Sequence, residues 1–173
     1  MCPPSLLEPD LMLQGSILEL TAPLIAQYGL KGLVLDVDDT VISTRSAVVP
    51  PEVKTWVEEV QKTVQLILVS NNLSKARIRR VASVLELPYF FGARKPSRRK
   101  VRQAVAAMNL DLHEVGMVGD RLFTDVLVGN RLGMFTILVE PMMAQSDKRG
   151  GGSHVRSFEV WLSRKLGATL KQL

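Results

Sequence analysis

The chain has 173 residues, 46% hydrophobic and 23% charged, with 12 Gly and 9 Pro, which is the size and make-up of one globular domain. One cysteine, Cys2, and two histidines, His113 and His154, exclude an intramolecular disulfide, a cysteine-rich zinc site and a multi-histidine centre, so a metal here would have oxygen ligands, as Mg2+ does. The net charge of +5 is unevenly placed: residues 75–102 hold ten basic side chains against Glu86, and residues 148–173 hold six against Glu159. Such blocks are ordinarily solvated helix faces, but this density also suits a polyanionic partner, either anionic lipid head groups or nucleic acid.

In chain order, residues 1–31 carry apolar positions (Leu6, Leu7, Leu11, Leu13, Ile17, Leu20, Leu24, Ile25) broken by prolines, a pattern that predicts short packing helices. No Lys or Arg precedes Lys31, so neither a secretory nor a transit pattern is read, and no apolar run approaches a membrane span. The expectation is a cytoplasmic chain, soluble or peripheral on a membrane. Gly32 to Leu35 is a short apolar run leading into Asp36, as expected of a buried parallel strand. Pro50-Pro51-Glu52 opens a helix with Val53, Trp56, Val57 and Val60 on one face.

Val64 to Val69 is the next strand, ending at Ser70-Asn71-Asn72. Ser74 caps a helix that places Ile78, Val81, Ala82 and Leu85 inward and the arginines outward. Tyr89-Phe90-Phe91 is a short strand, and Ser97 is expected to cap a helix through Met108. Val115 to Val118 is a strand before Gly119-Asp120, a helix runs from about Asp125 to Leu132 and stops at Gly133, and Phe135 to Val139 is the last strand. Beyond Glu140-Pro141, a flexible link over Gln145 to Ser153 leads to a basic amphipathic helix with Val155, Phe158, Leu162, Leu166 and Leu170 in one stripe. The alternation predicts an α/β domain with a mostly parallel sheet. Asp36, Ser70 and Asp120 each stand just past a strand's carboxyl end, where such sheets bind ligands.

An isolated Asp-x-Asp is commonly two solvated carboxylates. Here the pair ends an apolar strand in Leu35-Asp36-Val37-Asp38-Asp39-Thr40, where repulsion between adjacent carboxylates makes a divalent cation the natural compensation. Together with Ser70, with Lys95 in Arg94-Lys95-Pro96 and with Gly119-Asp120…Asp125, this series resembles the haloacid dehalogenase-like phosphatases, across roughly residues 32–140.

The resemblance implies a Rossmann-like, doubly wound sheet and phosphomonoester hydrolysis. In that reading Asp36 is the nucleophile that becomes an aspartyl phosphate, and Asp38 is the general acid and base. Thr40, Ser70, Asn71 and Lys95 would bind the phosphoryl group, and Mg2+ would be held by Asp36, the Asp38 backbone carbonyl, Asp120 and Asp125. The plain alternatives are a surface lysine at Lys95 and a helix cap at Asp125.

About ten residues separate Thr40 from the helix at Pro51, too few for a cap domain, so the expected enzyme has little or no cap and an open site. Open sites suit bulky or surface-embedded substrates. Organisation is expected as one domain over 1–173: packing helices in 1–31, a catalytic core in 32–140, and the link with its basic helix in 141–173.

The Gly29-Leu30-Lys31-Gly32 lead-in, the compact core and the tail after Glu140-Pro141 resemble a branch that contains mitochondrial and cyanobacterial phosphatidylglycerophosphate phosphatases. That branch implies a lipid phosphate substrate at an anionic phospholipid surface, which the basic tracts would face. Two alternatives stay open: a phosphatase for a soluble nucleotide, sugar phosphate or phosphoprotein, and a nucleic-acid- or ribosome-associated binding protein on the same fold. Few aromatics (5%) argue against base stacking, and the sequence leaves the oligomeric state undetermined.

Overall fold

The computed structural model describes residues 4–46 and 48–142. Their strands are β1 (Leu11–Met12), β2 (Gly32–Leu35), β3 (Gln65–Val69), β4 (Tyr89–Phe90), β5 (Val115–Gly119) and β6 (Phe135–Leu138). They form one sheet in the order β1-β6-β5-β2-β3-β4, with every neighbouring pair parallel. Parallel neighbours need long crossovers, and these are supplied by α1 (Ala22–Gln27), α2 (Pro51–Val60), α3 (Lys75–Leu85), α4 (Arg99–Met108) and α5 (Leu127–Leu132).

Side-chain alternation along the strands divides the core between the two faces of the sheet. Leu33, Leu35, Leu66 and Leu68 meet α2 through Val53, Trp56, Val57 and Val60, and α3 through Ile78, Val81, Ala82 and Leu85. Val34, Ile67, Val69 and Met117 face the other way, onto α4 (Val101, Ala104, Val105, Met108) and α5 (Val128, Leu132). This is the expected doubly wound α/β architecture, and each fully buried Leu, Ile or Val in it contributes about 2 kcal/mol. The buried indole of Trp56 is satisfied by donating to the Leu20 carbonyl at 2.9 Å.

Register then fixes the site. Leu35 is opposite both Leu68 and Val118, so the chain leaves β2, β3 and β5 at nearly one level. The Asp36 amide extends the ladder by donating to the Val118 carbonyl at 2.9 Å. The connection from Thr40 to α2 is a short loop, and among the described residues no further domain interrupts the carboxyl edge.

Several local expectations need correction. The N-terminal segment is not simply a set of packing helices: besides two 3-10 turns (Pro4–Leu7 and Ile17–Glu19) and α1, it adds β1 beside β6. Asp10 fixes this edge by accepting from the Thr136 amide at 2.8 Å and the Thr136 hydroxyl at 2.9 Å. Ser97 does not cap α4. Its amide closes a turn onto the Arg94 carbonyl, and Arg98 takes the cap position without a side-chain hydrogen bond. The helix expected from Asp125 begins earlier, as a π-helical stretch over Leu122–Val126 that continues into α5. Gly133, at φ +73°, ends α5 where the sequence placed its stop. The expected link and basic C-terminal helix lie outside the described residues.

Candidate active site

Asp36 follows β2 directly and is buried, as are Thr40, Ser70, Lys95, Asp120 and Asp125. Two short loops and the π-helical stretch bring these side chains from four parts of the chain onto one edge. Lys95 Nζ is 2.5 Å from Asp36 Oδ1 and 2.7 Å from Asp125 Oδ1, so one ammonium joins two carboxylates 89 residues apart in sequence. Thr40 donates its hydroxyl to Asp120 Oδ1 at 3.3 Å. One oxygen from each of Asp36, Asp120 and Asp125 lies within 4.8 Å of the others.

Gly119 is what lets this cluster close. A Cβ there would overlap the Asp125 carboxylate, so only glycine leaves room for Asp125 beneath the end of β5. Asp125 is buried inside the π-helical stretch, and its Oδ2 accepts from the Arg121 amide at 3.3 Å. It is therefore not the cap of the helix that follows.

The electrostatics are those of too many carboxylates for one ammonium. Burial pushes the Asp36 carboxyl up to about 7; Lys95 opposes that rise, and repulsion from Asp125 adds to it. Asp120 is pushed up to about 8, first by burial and then by the charges of Asp125 and Asp36. Burial works against the charge on Lys95 as well, but Asp125 and Asp36 outweigh it and hold the ammonium above its usual range.

A divalent cation fits this arrangement on two counts. The three carboxylates supply hard oxygen donors whose mutual repulsion a cation would relieve. The buried Oδ1 of Asp125 touches Lys95 without an aligned hydrogen bond, which leaves a lone pair for a metal.

Asp38 belongs to a second network. Its side chain is one-fifth exposed, with Oδ2 accepting from Ser70 Oγ at 3.1 Å and Oδ1 from Arg77 Nε at 3.3 Å. Arg77 also donates Nη1 to the Ser46 carbonyl at 2.7 Å and Nη2 to the Ser43 carbonyl at 3.1 Å. One guanidinium thus ties the loop after Thr40 to the Asp38 carboxylate. The helical pattern sends all the α3 arginines outward, and Arg79 and Arg80 are exposed as expected, but Arg77 is half-buried and turned toward the site. The available signal is its place in the first turn of a helix starting just past Ser70, at the ligand-binding edge.

Asn71 also does something the sequence does not announce. Its amide donates to the Lys95 carbonyl at 3.0 Å and accepts from the Lys95 amide at 2.6 Å, bracketing that residue's backbone. Asp39, next to the motif, accepts from the Thr44 amide at 2.8 Å and the Thr44 hydroxyl at 3.0 Å, which shapes the same loop.

Comparison with known proteins agrees with this geometry. A family model described as HAD-hydrolase-like matches residues 92–148. "Probable phosphatase YqeG" of Bacillus subtilis is 31% identical over 158 residues, covering 91% of this chain and 88% of that protein. The chloroplastic/mitochondrial phosphatidylglycerophosphate phosphatase 1 of Arabidopsis thaliana is 29% identical over 127 residues, 68% of this chain but 36% of the plant protein. In fold, an uncharacterised Listeria monocytogenes protein superposes with a TM-score of 0.53 at 18% identity, covering 79% of this chain and 99% of its own. A Mesorhizobium loti protein provisionally assigned as a HAD-like phosphatase gives 0.52, also at 18% identity, over 82% of this chain and 90% of that one. With the strand-end aspartates, the buried lysine and a relative matched over nearly its whole length, the chain belongs to the HAD-like hydrolases, as a phosphatase of that family.

Proposed function

We propose that this phosphatase hydrolyses a phosphomonoester through an aspartyl phosphate on Asp36, with Mg2+ as its cofactor and phosphatidylglycerophosphate as its substrate. The observation that carries the reading is Asp36 itself, a buried carboxylate at the end of β2, 2.5 Å from the Lys95 ammonium and grouped with Asp120 and Asp125. Mg2+ would be held by Asp36, Asp120, Asp125 and the Asp38 carbonyl, and when bound it offsets negative charge on the phosphoryl oxygens.

The chain's own groups then divide the work. An Asp36 oxygen forms a bond to phosphorus as the ester P–O bond breaks, and Asp38 gives its proton to the departing alcohol oxygen. Asp38 next takes a proton from water as that water attacks the aspartyl phosphate, which releases inorganic phosphate and restores Asp36. Lys95 and Ser70 stabilise the equatorial oxygens during both transfers, and Thr40 orients Asp120. Asn71 serves by fixing the Lys95 backbone.

Support for the lipid substrate comes from the resemblance to the plant phosphatidylglycerophosphate phosphatase and from the open edge, where no described segment encloses a small metabolite. No described helix is long and apolar enough to cross a membrane, and the reading has the chain meet such a lipid peripherally.

The test is Mg2+-dependent phosphate release from phosphatidylglycerophosphate in mixed micelles, beside sugar phosphates, nucleotides and a phosphopeptide, with Asp36→Asn as control. Strong preference for the lipid, lost in Asp36→Asn by more than about 1000-fold, is the expected result. Turnover of soluble esters alone would refute the lipid and keep the chemistry. Substantial residual turnover in Asp36→Asn would refute the nucleophile.

A further inference from the structure

Among the described residues the exposed large apolar side chains are Leu73 (73%), Val48 (71%) and Val84 (44%), and the two most exposed stand on loops at the catalytic edge. Lone exposed leucines are common and mean little. What surrounds Leu73 is less common. Its side chain lies over Gly92, with Cδ2 3.3 Å from where a Cβ would stand, and the neighbouring Phe91 ring has two ammonium groups close by, one of them, Lys100, also donating to the Phe91 carbonyl. Lys100 Nζ is 4.8 Å and Lys75 Nζ 5.7 Å from the ring centroid. An apolar tip flanked by lysines is therefore presented outward.

This tip is fixed to the site. The Gly92 amide donates to the Asn72 carbonyl and the Ala93 amide to the Ser70 carbonyl, both at 2.9 Å, which joins the loops after β3 and β4. Asn71 then brackets Lys95 from the same loop that carries Leu73. Exposed bases continue around the tip, with Arg94 on one side and Arg98 and Arg99 leading into α4. Between Lys75 and Arg102 the chain has one acid, Glu86, which sits at the far end of α3. Apolar surface and positive charge at one rim match a surface that is negative outside and hydrocarbon beneath.

We propose that the Leu73–Phe91 tip is a docking surface for an anionic lipid bilayer. Leu73 enters the boundary between head groups and acyl chains, Lys75 and Lys100 meet lipid phosphates, and the edge bearing Asp36 faces the membrane plane. The proposal rests on the lipid-phosphatase reading above and names the partner of that same edge.

The experiment is co-sedimentation of the full chain with vesicles of phosphatidylcholine alone or mixed with phosphatidylglycerol, alongside p-nitrophenyl phosphate turnover. The wild type is expected to partition onto the phosphatidylglycerol vesicles. Leu73→Ser should weaken that partition about tenfold, and Lys75→Gln about fivefold with a shallower salt dependence. Both should leave turnover of the soluble ester and the melting temperature unchanged, because both side chains are exposed.

Equal partition of Leu73→Ser and wild type, or retention of the chain by RNA but not by vesicles, would overturn the docking surface. Hydrolysis of micellar phosphatidylglycerophosphate without vesicle docking would overturn the surface and leave the activity standing. Leu73-dependent docking without turnover of that lipid would keep the surface and overturn the substrate.

Discussion

Divalent metal should stabilise this protein far more at pH 8 than at pH 5. The perturbation is removal of metal with a chelator, followed by addition of Mg2+, at each pH. Burial, with the charge of Asp125 adding to it at both sites, raises Asp36 from 3.8 to about 7 and Asp120 from 3.8 to about 8. An unfolded chain releases both protons near pH 4. Between there and pH 7–8 the folded state holds protons that the unfolded state has lost, so stability falls as pH rises through this window. At about 1.4 kcal/mol per unit, Asp36 would cost about 4 and Asp120 about 6 kcal/mol. Asp120 alone therefore costs on the order of 5 kcal/mol at pH 8, as much as the whole stability of a modest domain. Lys95, raised instead, contributes stability that is lost only above its unfolded value near 10.5, outside the window.

For a chain of this size 5 kcal/mol is roughly 15 °C in melting temperature. Thermal unfolding in chelator should therefore show a steep loss between pH 5 and 8. Mg2+ should restore most of it at pH 8 and little at pH 5, where it must displace protons. A metal-free melting temperature that is flat or rises over this range would refute the reasoning, as would equal Mg2+ shifts at both pH values.

Two further perturbations address how the site is built. Gly119→Ala places a Cβ on the Asp125 carboxylate; it should cost about 1–3 kcal/mol of stability and raise the Mg2+ concentration needed for half-maximal turnover, read from melts and metal titrations. Arg77→Ala should release the loop at Ser43 and Ser46 from Asp38, lowering kcat roughly 10- to 100-fold with little change in KM and speeding proteolytic cleavage of that loop. Arg77→Lys keeps the charge without the three-way fork and should recover only part of kcat; full recovery would mean that charge alone matters.

The sequence carries the sheet because buried parallel strands are continuous apolar runs and their helices show a single apolar face, as at Val53 to Val60 and Ile78 to Leu85. It carries Asp36 and Asp120 because each stands at a strand's carboxyl end, where position alone implies convergence, whereas Asp38 and Asp125 are reached through the resemblance. β1 escapes such reading: two residues, Leu11 and Met12, have no periodicity, and their pairing to Ile137 and Leu138 lies 126 residues away. Arg77 escapes for a different reason. Helical periodicity separates apolar from polar faces but says nothing about a loop folded over the first turn of the helix, and that loop supplies two of the arginine's three partners. Asn71 is legible as a site residue, but its bracket on Lys95 depends on two loops meeting across 24 residues of chain.

The two aspartates of Asp36-Val37-Asp38 are two residues apart, yet they join different cations, and this separation lets them take different parts in the proposed reaction. Asp36 is buried against the Lys95 ammonium and shares it with Asp125; burial holds its carboxyl up at about 7, and a bound divalent cation would favour the ionised form that a nucleophile needs. Asp38 turns away to Ser70 and Arg77 and keeps one-fifth of its side chain in reach of water, where an acid and base must exchange protons between half-reactions. If both carboxylates pointed into the buried cluster, four negative charges would face one ammonium, and neither the fold nor the proton transfers would be served. Arg77 is thus the counterpart of Lys95: one cation holds the proposed nucleophile inside, and the other holds the proposed proton carrier at the mouth of the site.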